Sequence, residues 1–343
     1  MRNWKFWLGV AVSLVFIFIA LLQIKDWGAF LRSFQAADLR FVLLMIAGYF
    51  LVFGLRTLRW QYILWSVARP RLSSTFIALV ICYMGNNIFP LRAGEVLRVV
   101  VLNRRHQIPV SSGLATVVVE RLADVFTMLL FLGLLFLTLQ FPPQYQVVLG
   151  ALKKGGALAI VTTIALILFL YGLYIGSGWV ERMVARVLRI LPERRQARFQ
   201  EILKSFVQGL HILGRPTRLL NLFLLSAVIW LANLLPVYFV GLAFHWRLSF
   251  FGSLLLLFLG AVAASLPAAP GFWGTFHFLT AQGLAFLGFG PQETALSYAI
   301  VLHAGYYFPV LLLGAILAWR EGYSLSAARA AAKELQPEMP SPP

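Results

Sequence analysis

The sequence predicts an all-α polytopic integral membrane protein with about six full transmembrane helices and two re-entrant broken-helix hairpins. Three observations carry this. Hydrophobic residues make up 60% of the 343 positions and charged residues only 12%, about half the charged share of a soluble domain. The apolar residues come in runs of nineteen or more, long enough as helices to cross about 30 Å of hydrocarbon. The Lys and Arg residues can be placed mostly on one side of the membrane only if at least one apolar segment turns back before crossing.

Phe6 to Ile24 is uncharged and follows Arg2 and Lys5. Its apolar core is too long for a signal-peptide core and no small-x-small cleavage site follows, so it reads as a first span with its N-terminus inside. Phe41 to about Trp60 is the second span. Leu72 to Leu91 enters the membrane. If it crossed, Arg92, Arg98, Arg104 and Arg105 would emerge outside, and the most basic loop, Glu181 to Arg218, would follow them. If the chain instead turns back at Ile88-Phe89-Pro90-Leu91-Arg92-Ala93-Gly94, 23 of the 29 basic residues fall inside, Arg56 and Arg59 among them. Full spans follow at about Gly113 to Phe141, Gly155 to Val180, Leu219 to His245 and Thr294 to Trp319. The uncharged stretch from Leu248 to Gln292 breaks at Leu266-Pro267-Ala268-Ala269-Pro270-Gly271. Charge alone does not separate a hairpin from two complete spans there, although a turn without Lys or Arg favours the hairpin. Two such hairpins would enter from opposite faces and meet near mid-depth.

Residues 1–323 therefore read as one transmembrane domain, with 324–343 a disordered, proline-rich cytoplasmic tail. Within 181–218, Phe199, Ile202, Leu203, Phe206, Val207 and Leu210 recur at helical spacing opposite a basic face. That pattern fits an amphipathic helix pair on anionic lipid; the apolar stripe argues against a nucleic-acid arm. The net charge of +17 fits basic cytoplasmic loops.

Irregular backbone at membrane depth must be buried in protein or line a wet cavity. Pro90 removes a donor and stops the helix. Asn86 and Asn87 can bond freed backbone groups, and Gly94 permits close approach. Arg92, Glu95 and Arg98 follow, then Glu120, Arg121 and Asp124. Glu95 and Arg98 share a helix face, as do Glu120 and Asp124. These six form either an ion-pair network pinning hairpin to span or a site whose arginines grip a phosphate head. His277 and His303, with nearby Tyr298, Tyr306 and Tyr307, are packing residues or the lining of a polar cavity. No metalloprotease, P-loop or nucleophile-elbow motif is present, and Cys82 stands alone, so neither metal nor cofactor is expected. The acids are interleaved with arginines, which suits ion pairing better than proton abstraction.

Asn86, Pro90, Arg92, Gly94, Glu95 and Arg98 spell N-x-x-x-P-x-R-x-G-E-x-x-R. Glu120, Arg121 and Asp124 spell E-R-x-x-D, and Pro267, Pro270, Gly271 and Gly274 spell P-x-x-P-G-x-x-G. Together they resemble the transmembrane region of lysylphosphatidylglycerol synthases, the flippase-like domain proteins. Where that family often carries an acid after the last glycine, this chain has His277. The charge placement reads both termini as cytoplasmic, in a bacterial inner membrane. The resemblance implies an integral membrane protein. It implies binding or translocation of an anionic phospholipid or polyprenyl-phosphate-type lipid, with a separate lipid-modifying enzyme as partner. An accessory subunit of a lipid-dependent transferase, or such a transferase itself, is the alternative.

Overall fold

Strong helix formers without β-strand alternation leave the backbone one way to satisfy its polar groups in an apolar medium. The computed structural model describes residues 4–89, 92–139, 146–188, 192–266 and 269–322. Among these the chain forms fourteen α-helices and no strand. Pro90, Pro267 and the tail 324–343 lie outside the described residues.

The first helix, α1 (Trp4–Leu22), stops short of Ile24. Asp26 then caps α2 (Trp27–Gln35), its carboxylate accepting from the Ala29 N–H at 2.9 Å. The described part of α1 meets α2 at a bend of 98°. Helix α3 (Leu39–Leu64) is 26 residues long, about 39 Å. It is followed by α4 (Leu72–Ile88), α5 (Gly94–His106), α6 (Val110–Thr138) and α7 (Gln146–Tyr174). Helix α7 begins ahead of Lys153 and Lys154, upstream of the Gly155 start that charge predicts. Two amphipathic helices follow, α8 (Gly178–Leu188) and α9 (Glu193–Gly209). Helices α10 (Pro216–Ala232) and α11 (Leu234–Ala243) form one 28-residue span with a joint at Asn233. The chain closes with α12 (Phe250–Ser265), α13 (Thr275–Phe286) and α14 (Gln292–Arg320). Among the described residues five helices, α10–α11 counted as one, are long and apolar enough to cross a membrane. The bent α1–α2 pair makes a sixth.

Of the six remaining helices, α8 and α9 are the amphipathic pair, and α4, α5, α12 and α13 are too short to cross. Helix α5 has 13 residues and α13 has 12, about 20 Å and 18 Å against a 30 Å core. Side-chain contacts place their ends. Arg105, at the end of α5, donates to Ser74 Oγ in the first turn of α4 at 3.0 Å, and pairs with Glu321 just after α14. So α4 enters and α5 leaves at the C-terminal face of α3. At the other face the Asp38 N–H, just before α3, donates to the Ala243 carbonyl at 2.9 Å. Phe251 and Leu287, from the start of α12 and the end of α13, share one apolar cluster there. Both pairs are therefore re-entrant hairpins, and they enter from opposite faces.

Each hairpin turns where the residue before a proline is forced out of the helical region. Phe89 ends α4 with ψ 144°, and Leu266 ends α12 with ψ 149°. The first hairpin closes at Gly85 and Gly94: a Cβ on Gly94 would collide with the Cys82 carbonyl and with Asn86. The second uses left-handed turns at Gly271 (φ 78°) and Gly274 (φ 86°), which only glycine adopts without strain. Gly274 also packs on the Ser13 carbonyl of α1.

The stripe on α9 has a different partner from the one its sequence implies. Phe206 and Leu210 join Ala115 and Val119 of α6 in one apolar cluster, and Ser112 Oγ donates to the Ser205 carbonyl at 2.6 Å. Ile202 remains exposed.

Candidate functional site

The two hairpin tips meet. Arg92 holds left-handed backbone (φ 54°), as does Phe272 on the other tip (φ 60°). Such conformations are uncommon away from glycine and cluster where a site over-determines them. The Arg92 guanidinium donates to the Ala264 carbonyl at 3.0 Å and lies 5.9 Å from the Phe272 ring centroid. That carbonyl belongs to the last turn of α12, whose C=O groups have no intrahelical donor. The second tip is otherwise satisfied by side chains. The Ala269 N–H donates to Ser13 Oγ at 2.8 Å and the Gly274 N–H to His277 Nδ1 at 3.2 Å.

Behind the tips lies a network of ion pairs on three elements. Arg59 of α3, fully buried, donates to Asp124 at 2.5 Å, to Glu120 at 2.8 Å and to Ser226 Oγ at 2.9 Å. Arg98 of α5 pairs with Glu120 at 2.8 Å and Glu95 at 2.7 Å, with its guanidinium 4.5 Å from the Trp60 ring. Arg121 reaches Glu120 at 2.7 Å, Asp124 at 3.4 Å and Glu95 at 3.8 Å. Trp230 Nε1 donates to Asp124 at 3.1 Å. Three arginines and three carboxylates thus neutralise one another inside the helix bundle. Unpaired, any one of them would be strongly destabilising there.

A cavity of about 560 Å³ opens beside this network. Arg92, Glu95, Arg121 and Asp124 line it, as do Asn86, Asn87 and His303. Arg98 and Glu120 do not; both side chains are 0% exposed and sit behind the wall. Arg56 of α3 also lines the cavity, hydrogen-bonded to the Tyr83 hydroxyl and 3.5 Å from Asn233 Oδ1. Tyr49, Trp230, Tyr306 and Tyr307 face the same space, with an apolar wall from α6 and α12.

Several expectations change. Asn86 was expected to bond freed backbone groups of the tip. Helix α4 runs on to Ile88, and the Asn86 amide instead reaches Cys82 Sγ at 3.8 Å. Arg56 and Arg59 were placed among the cytoplasmic charges but are part of the site. Setting them aside with Arg92, Arg98 and Arg121 lowers the tally expected from the sequence to eighteen against six. His277 and His303 are joined by a 3.1 Å hydrogen bond. The Gly274 N–H holds His277 Nδ1 as an acceptor, so the proton of a neutral His277 is on Nε2 and points at His303 Nδ1.

The family described as "Lysylphosphatidylglycerol synthase TM region" matches residues 6–314. A UPF0104 membrane protein of Methanothermobacter thermautotrophicus is 28% identical over 89% of this chain and 90% of its own length. Another, from Pyrococcus horikoshii, is 24% identical over 89% of this chain and 95% of its own length. "Glycosyltransferase AglD" of Haloferax volcanii is 26% identical over 75% of this chain, which corresponds to 45% of that protein. No solved structure matches.

Proposed function

Because the chain belongs to the lysylphosphatidylglycerol synthase TM region family, we propose that it binds the head of an anionic or modified phospholipid between its hairpin tips and moves that lipid between leaflets. One observation carries the reading. Hairpins from opposite faces meet at a cavity whose walls hold more arginine than carboxylate. A cation at membrane depth is costly unless an anion or a wet cavity accompanies it. A phosphate head supplies that anion, and arginine recognises it through paired N–H donors. The cavity has the size of a small-molecule pocket, room for a head whose tails follow the apolar wall of Val125, Met128, Leu129, Leu256 and Leu257.

Arg92 and Arg56 would meet the head directly, with Arg121 beside them. Arg98, Glu95, Glu120, Asp124 and Arg59 would hold that wall rigid. The basic, C-terminal face of α3 is read as cytoplasmic, which puts both chain ends inside.

Reconstitution tests this. The protein in liposomes carrying a fluorescent acidic phospholipid should speed the exposure of inner-leaflet label to an external quencher. Arg92→Gln and Arg56→Gln should lose most of that rate with helical content unchanged. No acceleration by the wild-type protein, or full rate in both variants, would refute the reading.

A lipid-dependent transferase, or its membrane subunit, is the second reading, favoured by the name of the Haloferax relative. Turnover of a lipid-linked donor by the pure protein would select it.

A further inference from the structure

We propose that the cavity selects a lipid head bearing two negative charges, a phosphomonoester or a diphosphate, over singly charged, zwitterionic and aminoacylated heads. This rests on the lipid-binding reading above.

The charge inventory leads there. Five arginines line or back the cavity: Arg56, Arg59, Arg92, Arg98 and Arg121. Three carboxylates answer them, and Glu95, Glu120 and Asp124 are all engaged by Arg59, Arg98 and Arg121. That group closes at zero. Among the described residues no carboxylate lies within 4.0 Å of Arg56 or Arg92. Their partners are neutral: the Tyr83 hydroxyl and Asn233 Oδ1 for Arg56, the Ala264 carbonyl and Phe272 ring for Arg92. The end of α12 offers Arg92 at most about half a negative charge. An excess of about one and a half to two positive charges therefore faces the cavity.

A phosphomonoester carries about −1.5 to −2 at neutral pH and brings the cavity near neutrality. A phosphodiester such as phosphatidylglycerol leaves part of the excess unmatched. A zwitterionic head leaves all of it, and a lysylated head adds to it. Asn86, Asn87 and Tyr83, also on the lining, are neutral and able to donate to further phosphate oxygens.

The test uses the purified full chain in neutral detergent and lipids with identical acyl chains. Phosphatidic acid, phosphatidylglycerol, phosphatidylethanolamine and lysylphosphatidylglycerol compete for binding, read by native mass spectrometry. Phosphatidic acid should bind about tenfold more tightly than phosphatidylglycerol, the equivalent of one charge-assisted hydrogen bond. R56Q and R92Q should each erase that preference. A readout without substitutions lowers the pH through about 6, where a phosphomonoester loses its second charge. The advantage over phosphatidylglycerol should shrink. Phosphatidylglycerol in the same buffers reports titration of Glu95, Asp124 and His303, which face the same cavity.

Equal binding of the two acidic lipids overturns the two-charge proposal and leaves the anionic-lipid reading standing. Preference for the lysylated lipid overturns the two-charge proposal and leaves the modified-phospholipid reading standing; preference for the zwitterionic lipid overturns both. Inorganic phosphate that displaces phosphatidic acid at equal concentration, with no contribution from the acyl chains, moves the charge recognition to a soluble anion and overturns the lipid selection.

Discussion

Arg59 lies five residues before the end of α3, touches no solvent, and holds two carboxylates of α6 and a serine of α10. Nothing local marks it: a basic residue near a helix end looks like a cytoplasmic anchor. Its role is set by where α6 and α10 pack, which no spacing along α3 encodes. Arg56 was hidden for the same reason. Glu95, Arg98, Glu120, Arg121 and Asp124 were legible because charges inside apolar runs are costly and must find partners. Replacing Arg59 with Met leaves the network one negative charge in excess, so we expect about 3–5 kcal/mol of lost stability. Thermal unfolding in detergent measures it. Arg59→Met combined with Asp124→Asn should recover part of the loss. An unchanged midpoint in the single variant would mean that the network holds little. Gly94→Val should be worse than Arg59→Met for the hairpin itself, because the new side chain meets the Cys82 carbonyl and Asn86 where the two helices touch. Folded protein recovered at the wild-type level would contradict that packing.

Among the elements, the hairpins were the most legible feature of the sequence. Two X-Pro breaks interrupt runs that would otherwise cross, and the arginines after the first break give the direction of return. The second hairpin was ambiguous because its tip carries no charge; the shortness of α13 and the apolar cluster shared by Phe251 and Leu287 resolve it. The bend between α1 and α2 and the contact of α9 with α6 were not legible, since both depend on neighbours distant in sequence. The faces can be read independently by cysteine labelling in membranes, after replacing Cys82. Cysteines at Ser73 and His106 should label from the same side, and cysteines at Arg40 and Arg247 from the other. Labelling of Ser73 and His106 from opposite sides would make α4–α5 a crossing and dissolve the first hairpin.

The molecule as a whole is a bundle of crossing helices around two short hairpins whose tips share one cavity. A compensated network stiffens one wall, and Arg56 and Arg92 stand in excess beside it. The most direct measurement is a cryo-electron microscopy map of the protein in nanodiscs of acidic lipid. The tips should be in contact through Arg92 and Ala264, with phosphate density in the cavity against Arg56 and Arg92. Tips held apart, or lipid heads ordered only at the outer belts with the cavity empty, would contradict this arrangement.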